Sequence, residues 1–229
     1  MDSVKFSHRL RRPITDLVVS LCLLATGPAW SQAGLANTGA EAGAAALLDD
    51  FVAEVQDLSA GFVQQRFDEN GEVVEEPSTG SFRLLRPGLF RWHYDPPDEQ
   101  IIVADGEWLW FYDVLIEQVE KRPASDLATS PAMILSDAAL LRDRYAVTEL
   151  PPADGKRWLE LTPLDSDASE FVTARLGFVE GLPVVLEIVD GLNELTRVDF
   201  DGIEVNTGLT RDEFVFEPPP GVTVISADD

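Results

Sequence analysis

The sequence is poor in the residue types that most site chemistry needs. Its 229 residues include one cysteine, Cys22, so it can form no intrachain disulfide and no zinc site built from several thiolates. Two histidines, His8 and His93, leave little for metal ligation or general-base catalysis. Positive charge is scarce too: 17 Lys and Arg stand against 41 Asp and Glu, a net charge of −24. A nucleic-acid binder needs the opposite sign, which argues against that class. A basic hold on an anionic membrane surface is disfavoured on the same ground. What is present is ordinary for a globular protein, with 45% hydrophobic and 25% charged residues. The length suits one domain, or two small ones, with a self-sufficient core.

The N-terminus has the order of a secretory leader. Lys5, Arg9, Arg11 and Arg12 form a basic start, and Leu17 to Ala25 is an apolar run. Gly27 and Pro28 break it, and Ser31 and Ala33 put small residues before a signal-peptidase cut. Nine apolar residues are too few to span a bilayer, which takes about 20. Cys22 lies inside the apolar run after Leu21, a poor position for a lipidated first mature residue. Residues 1–33 are therefore expected to be a cleaved signal peptide and 34–229 a single exported domain. That domain holds 13 basic and 39 acidic residues, a net charge of −26, with no cysteine and His93 as its one histidine.

Hydrophobic spacing then separates one helix from many strands. Ala44, Leu47, Leu48, Phe51, Val52, Val55 and Leu58 form one apolar helical stripe, with Asp49, Asp50, Glu54 and Asp57 on the other face. From Phe62 the period is two, and Asn70-Gly71 marks a hairpin. Further strands are expected at 79–85, 89–94, 100–104, 108–112 and 113–122. Residues 125–143 turn helical, with the apolar segment 131–135 inside. Strands follow at 145–150, 157–162, 171–179, 184–189, 195–200 and 214–216. Asp154-Gly155, Glu180-Gly181 and Asp190-Gly191 supply turns. This spacing predicts an antiparallel sandwich or barrel carrying one helix and a short helical insert. Trp108, Trp110 and Tyr112 alternate with Leu109 and Phe111, so that strand is expected to be covered on both faces.

Catalytic signatures are lacking. No G-x-S-x-G elbow or Gly-rich phosphate loop occurs. His93, between Trp92 and Tyr94 on a strand, reads as structural. Asp165, Asp167 and Glu170 fail the calcium-loop pattern, since Glu170 stands where glycine is required. No carboxylate pair is singled out among the 39. The unusual feature is aromatic density: Phe82, Phe90, Trp92, Tyr94, Trp108, Trp110, Phe111 and Tyr112 fall close together. They fill either a sandwich core or the apolar face of a sheet that holds a greasy ligand. In the second case the helix 44–58 and the insert 131–135 would close over it.

Several motifs then resemble one family. Residues 80–94 (GSFRLLRPGLFRWHY), carrying Arg86-Pro87, Phe90 and Trp92, are similar to a segment of the periplasmic outer-membrane lipoprotein carrier family, LolA. So are Pro97 to Gly106, Leu109 to Tyr112 and Glu117-Gln118. Ser130 to Leu135 resembles the family's T-P-x-x-L-L helix, and Phe214 to Val224 its C-terminal F-x-F-x-P-P-x-G-V. The likeness covers about residues 45–225 and is weak over 164–205.

The resemblance implies an incomplete, half-open antiparallel β-barrel with an α-helical lid over an apolar cavity. It implies a carrier that takes acylated lipoproteins from an inner-membrane ABC transporter to an outer-membrane receptor, LolB. It also implies no catalysis and no cofactor or metal. The chain is expected to be periplasmic and monomeric, to bind no nucleic acid and to have no membrane anchor. Arg86 would latch the lid through partners near Val52, Leu135 and Ser136. Leu48, Phe51, Val55, Phe82, Phe90, Trp92, Trp108, Trp110, Phe111, Met133 and Ile134 would form the cavity and lid. The alternatives are a half-barrel lipid or glycolipid shuttle, a LolB-like receptor and, from another class, a secreted carboxylate hydrolase.

Overall fold

The computed structural model describes residues 38–124, 133–136, 141, 143–166, 169 and 171–226. Helix α1 (Thr38–Glu54) precedes β1 (Asp57–Phe67), β2 (Ser78–Leu85), β3 (Leu89–Tyr94), β4 (Gln100–Ala104), β5 (Trp108–Asp113) and β6 (Gln118–Pro123). A short helix, α2 (Met133–Ser136), leads to β7 (Tyr145–Ala153), β8 (Lys156–Pro163), β9 (Thr173–Val179), β10 (Leu182–Val189) and β11 (Leu195–Val205). A 3₁₀ turn (Arg211–Phe214) and β12 (Thr223–Ser226) end the described chain.

The strands form one 12-stranded sheet in the order β12-β6-β5-β4-β3-β2-β1-β11-β10-β9-β8-β7. Its first and last strands do not pair, so the barrel is incomplete. Every pairing is antiparallel except β12 with β6, where Thr223 to Ser226 run alongside Gln118 to Lys121. Local turn chemistry fixes the hairpins: Asp154 and Gly155, and Glu180 and Gly181, all have positive φ, as primed two-residue turns require.

Two segments differ from the sequence expectation. The helix ends at Glu54, not near Leu58. Asp57 and Leu58 instead pair with Leu85 and Leu84 of β2, so Leu58 reaches the core from a strand. Phe214 to Phe216 is not a strand; it closes the 3₁₀ turn and continues as extended chain. The parallel strand β12 had no periodic signal in its four residues. Most of the expected 125–143 insert lies outside the described residues.

The sheet has one apolar face and one mixed face. Phe62, Phe82, Leu84, Phe90, Trp92 and Phe200 belong to the central cluster on the inner face, together with residues of α1 and α2. The outer face is divided. Across β8 to β11, Glu160, Arg175, Glu187 and Arg197 stand opposite one another in a ladder of alternating charge. Arg175 bonds Glu160 at 2.9 Å and Arg197 bonds Glu187 at 3.1 Å. Across β3 to β6 the outer face is instead covered by the C-terminal segment. Phe214 is fully buried there, and Phe216 lies 5.6 Å from the Trp110 ring and 6.0 Å from Tyr112. The expectation that β5 is covered on both faces is met in this way.

Two local devices hold this half together. A Cβ at Gly80 would collide with the His93 carbonyl and sit 2.7 Å from the Phe62 ring, so only glycine lets that ring cross the strand. Gly80→Ala should cost about 1–3 kcal/mol in chemical unfolding, as overpacking does; an unchanged midpoint would contradict this contact. The second device is the Asp105 carboxylate, which accepts bonds from the Glu107 and Trp108 amides and the Trp110 indole, each at 2.8 Å. Burial would raise this carboxyl, but the bonds from Trp110, Trp108 and Glu107, with Arg211 nearby, hold it below its ordinary value. A lowered native pKa stabilises the fold above about pH 4, and that contribution is lost as pH falls through the native value. The stability advantage of wild type over Asp105→Asn, from urea unfolding, should therefore hold above about pH 5 and shrink as pH falls below about 4. A gap independent of pH would refute this role.

Candidate functional site

The inner face of the sheet is built by strand alternation. Register places Leu84 opposite Phe90, Phe82 opposite Trp92 and Gly80 opposite Tyr94, then Phe90 opposite Ala104 and Trp92 opposite Ile102. The rings interlock. Phe82 and Trp92 lie 4.4 Å apart, Phe62 stands edge-on to Trp92 at 5.0 Å, and Phe200 lies 5.8 Å from both Phe82 and Trp92.

The two helices lay their apolar residues on this face. Leu47, Leu48, Phe51 and the following Val55 are buried from the α1 side, and Ile134 and Leu135 from α2. Phe51 meets Phe178 of β9 edge-on at 6.0 Å. A seam between helices and sheet is lined by Phe51, Leu58, Phe82, Leu135, Pro183 and Phe200, and it has no room for a water molecule. Further along the inner face, beside β4 to β6, a cleft of about 190 Å³ remains. It is lined by Ile102 and Phe111 and by polar groups that include Gln100, Gln118 and Glu120.

Arg86 and Asn206 tie the end of α1 to the sheet. Arg86 Nε donates to the Val55 carbonyl at 2.8 Å, and its guanidinium lies 4.8 Å from the Phe51 ring centre. The Arg86 amide donates to the Gln56 carbonyl at 2.9 Å. Asn206, at the end of β11, donates from Nδ2 to the Glu54 carbonyl and accepts from the Gln56 amide, both at 2.8 Å. The Asn206–Glu54 bond satisfies a carbonyl that a helix leaves orphaned at its C-terminus, and the others hold the two residues that follow. Asp57 is the buried carboxylate of the junction, 5% exposed. It accepts from the Thr207 amide and hydroxyl at 2.8 and 3.1 Å and from the Gly208 amide at 3.0 Å. Sequence reading missed Asp57, Asn206 and Thr207. The positive φ of Asn206 belongs to a turn that no periodic pattern flags.

Most of the expected site residues come together. Leu48, Phe51, Val55, Phe82, Phe90, Trp92, Ile134 and Leu135 share the central cluster, with Val52 and Phe111 packed at its margin. Trp108 and Trp110 do not: they point to the outer face. Strand parity decides this, because Leu109 and Phe111 take the inner positions of β5. Lys121 sits 3.5 Å from the Trp108 ring centre and 5.0 Å from that of Trp110, and the Trp110 indole is bonded to Asp105. Arg86 does reach α1, but its described side-chain bond goes to Val55, three residues beyond Val52. Met133 and Ser136 lie on α2, with side chains outside the described residues.

The inner face grows more polar along β3. Phe90 is fully buried and wholly apolar. Trp92 is 5% exposed, and its indole N–H has no hydrogen-bond partner among the described residues. The Tyr94 hydroxyl donates to Gln64 at 3.0 Å, and burial pushes its pKa up to about 12. His93 points to the outer side, with Nε2 3.1 Å from a Glu99 oxygen. Among the described residues, no three His, Cys, Asp or Glu side chains gather as a metal site. None of the described helices is long and apolar enough to cross a membrane.

An unclosed antiparallel sheet with helices packed on its apolar face defines a class of half-barrel protein. Comparison with known proteins narrows the class. The family model described as outer membrane lipoprotein carrier protein LolA matches residues 53–217. The chain is 38% identical over 221 residues to the outer-membrane lipoprotein carrier protein of Halorhodospira halophila, covering 96% of this chain and 97% of that one. It is 42% identical over 188 residues to the carrier of Xanthomonas axonopodis pv. citri, covering 80% and 88%. The chain belongs to the LolA family. Its fold is shared by an uncharacterized conserved protein from Thermus thermophilus, with TM-score 0.53 and 14% identity over 80% of this chain and 99% of that one.

The α1 junction generates a direct test. A charged donor to a backbone carbonyl contributes about 1.5–3 kcal/mol. Arg86→Leu should therefore speed amide hydrogen exchange in α1 by roughly 10- to 100-fold, while β8 and β9 stay protected. Unchanged exchange in α1 would show that Arg86 does not hold it.

Proposed function

We infer that this chain is a lipoprotein carrier, in which α1 and α2 act as a lid over an acyl-binding face. The observation that carries the reading is the waterless seam between helices and sheet. An open apolar face of this size would be unstable in water. Helix contacts that can be exchanged for lipid contacts solve that problem in both states.

Magnitudes constrain the mechanism. Acyl burial is worth about 0.8 kcal/mol per CH₂, so a chain of ~16 carbons offers ~12 kcal/mol. A site that buried all of it would not let go. Partial burial, offset by the lost contacts of Leu48, Phe51, Val55, Ile134 and Leu135, brings the exchange near balance. The Arg86–Val55 bond sets how much is needed to open.

The leader pattern and the family resemblance support the remaining parts of this reading. Residues 1–33 are a signal peptide cut near Ala33, and the mature chain works in the periplasm. It receives cargo from an inner-membrane ABC transporter and delivers it to an outer-membrane receptor of the LolB kind. It acts as a soluble monomer that performs no chemical step and needs no cofactor. The strong negative charge limits adsorption to anionic lipid between the two membranes.

Two measurements test this reading. Native mass spectrometry of the protein from a periplasmic extract should show a one-to-one complex with an acylated lipoprotein; only free lipid would support a shuttle. Arg86→Leu should load cargo from inner-membrane vesicles but deliver it to outer-membrane vesicles at least about tenfold more slowly, because the closed state no longer helps expel lipid. Delivery at the wild-type rate would refute the latch.

A further inference from the structure

Trp92 presents a polar group that has no hydrogen-bond partner among the described residues. Its indole N–H is buried in the central cluster and donates to no acceptor among the described residues. Such a donor forfeits its hydration without compensation, and native interiors hold few of them. The indole packs against both Phe82 and Phe200, two of the rings that line the seam. Side chains on the same face of β3 run from Phe90, with no polar atom, through the Trp92 N–H to the Tyr94 hydroxyl, already bonded to Gln64. An acyl chain has one kind of atom that can answer a lone donor between these ends, its ester or amide carbonyl.

The geometry points to Trp92 as the polar anchor of the acyl site: its indole N–H donates to the carbonyl of a bound acyl group. This rests on the carrier reading and adds to it a position and a direction. The hydrocarbon tail runs toward Phe90 and the seam under Leu135. The glyceryl end lies toward Tyr94 and the turn that follows at Asp95. The ligand class is thereby narrowed from any long hydrocarbon to an acyl ester or amide.

The test uses the purified protein with two soluble probes, 1,2-dioctanoylglycerol and 1,2-di-O-octylglycerol. Their alkyl parts are closely matched and only the first has carbonyls. Dissociation constants are measured for wild type and for Trp92→Phe. The ester-over-ether preference should be about five- to tenfold greater in wild type than in the variant, as one hydrogen bond requires. The double ratio cancels the different hydration of the two probes. A ratio near one overturns the anchor, meaning that the surrounding rings already satisfy the N–H. Failure of wild type to bind either probe would count against the carrier reading itself.

A second measurement needs no variant. In ¹H–¹⁵N spectra the Trp92 indole proton should move downfield with the ester probe and not with the ether. An equal response to both overturns the proposal even if Trp92→Phe does not fold.

Discussion

Arg86 bonding the Val55 carbonyl joins the two layers of this molecule at one point. On one side is α1, whose stripe of Leu47, Leu48 and Phe51 has no reason to stay folded alone in water. On the other is a sheet whose inner rings would otherwise meet solvent. The contact is charge-assisted at the carbonyl and cation–π at Phe51, so one side chain secures both the backbone and the buried face of the helix. Asn206, just past β11, and Asp57, at the start of β1, reinforce the same junction through bonds that span about 150 residues of sequence. The C-terminal end of α1 is therefore held by polar bonds, while Leu47, Leu48 and Phe51 are held by apolar contacts that lipid can replace.

The outer face answers a different requirement. Across β8 to β11 it meets water with alternating Glu and Arg, each pair contributing little by itself but keeping the strands in register. Across β3 to β6 it carries an aromatic patch of Trp110 and Tyr112, and the chain after β11 returns to cover it with Phe214 and Phe216. Two apolar surfaces thus lie on one sheet. One is closed by a continuous strap that ends in a strand, paired to β6 and hard to displace. The other is closed by helices whose described hydrogen bonds to the sheet lie at the C-terminal end of α1. Only the second arrangement suits exchange with a ligand.

Much of this was legible from residue order. Strict alternation of Phe90, Trp92 and Tyr94 puts three rings on one face, and register confirms it. The spacing of Leu48, Phe51 and Val55 names one buried face of α1. Where alternation carries no contrast, reading fails. Every residue from Trp108 to Tyr112 is apolar or aromatic, so parity cannot say which rings face inward, and Trp108 and Trp110 face outward against expectation. Leu58 fits both a helical stripe and a strand, and its pairing with Leu84 settles the choice. Asp57 and Asn206 give no signal, because their partners are distant in sequence.

The sequence by itself determined the periodicities, the hairpin turns and the motif order that marks the family, because each depends on residues near one another along the chain. Tertiary structure alone decided which face of β5 is inner, where α1 stops, how the C-terminal segment covers the outer rings and which buried donor is left unanswered at Trp92. Those outcomes depend on which strand or side chain arrives from far away, and short-range spacing carries no information about that arrival.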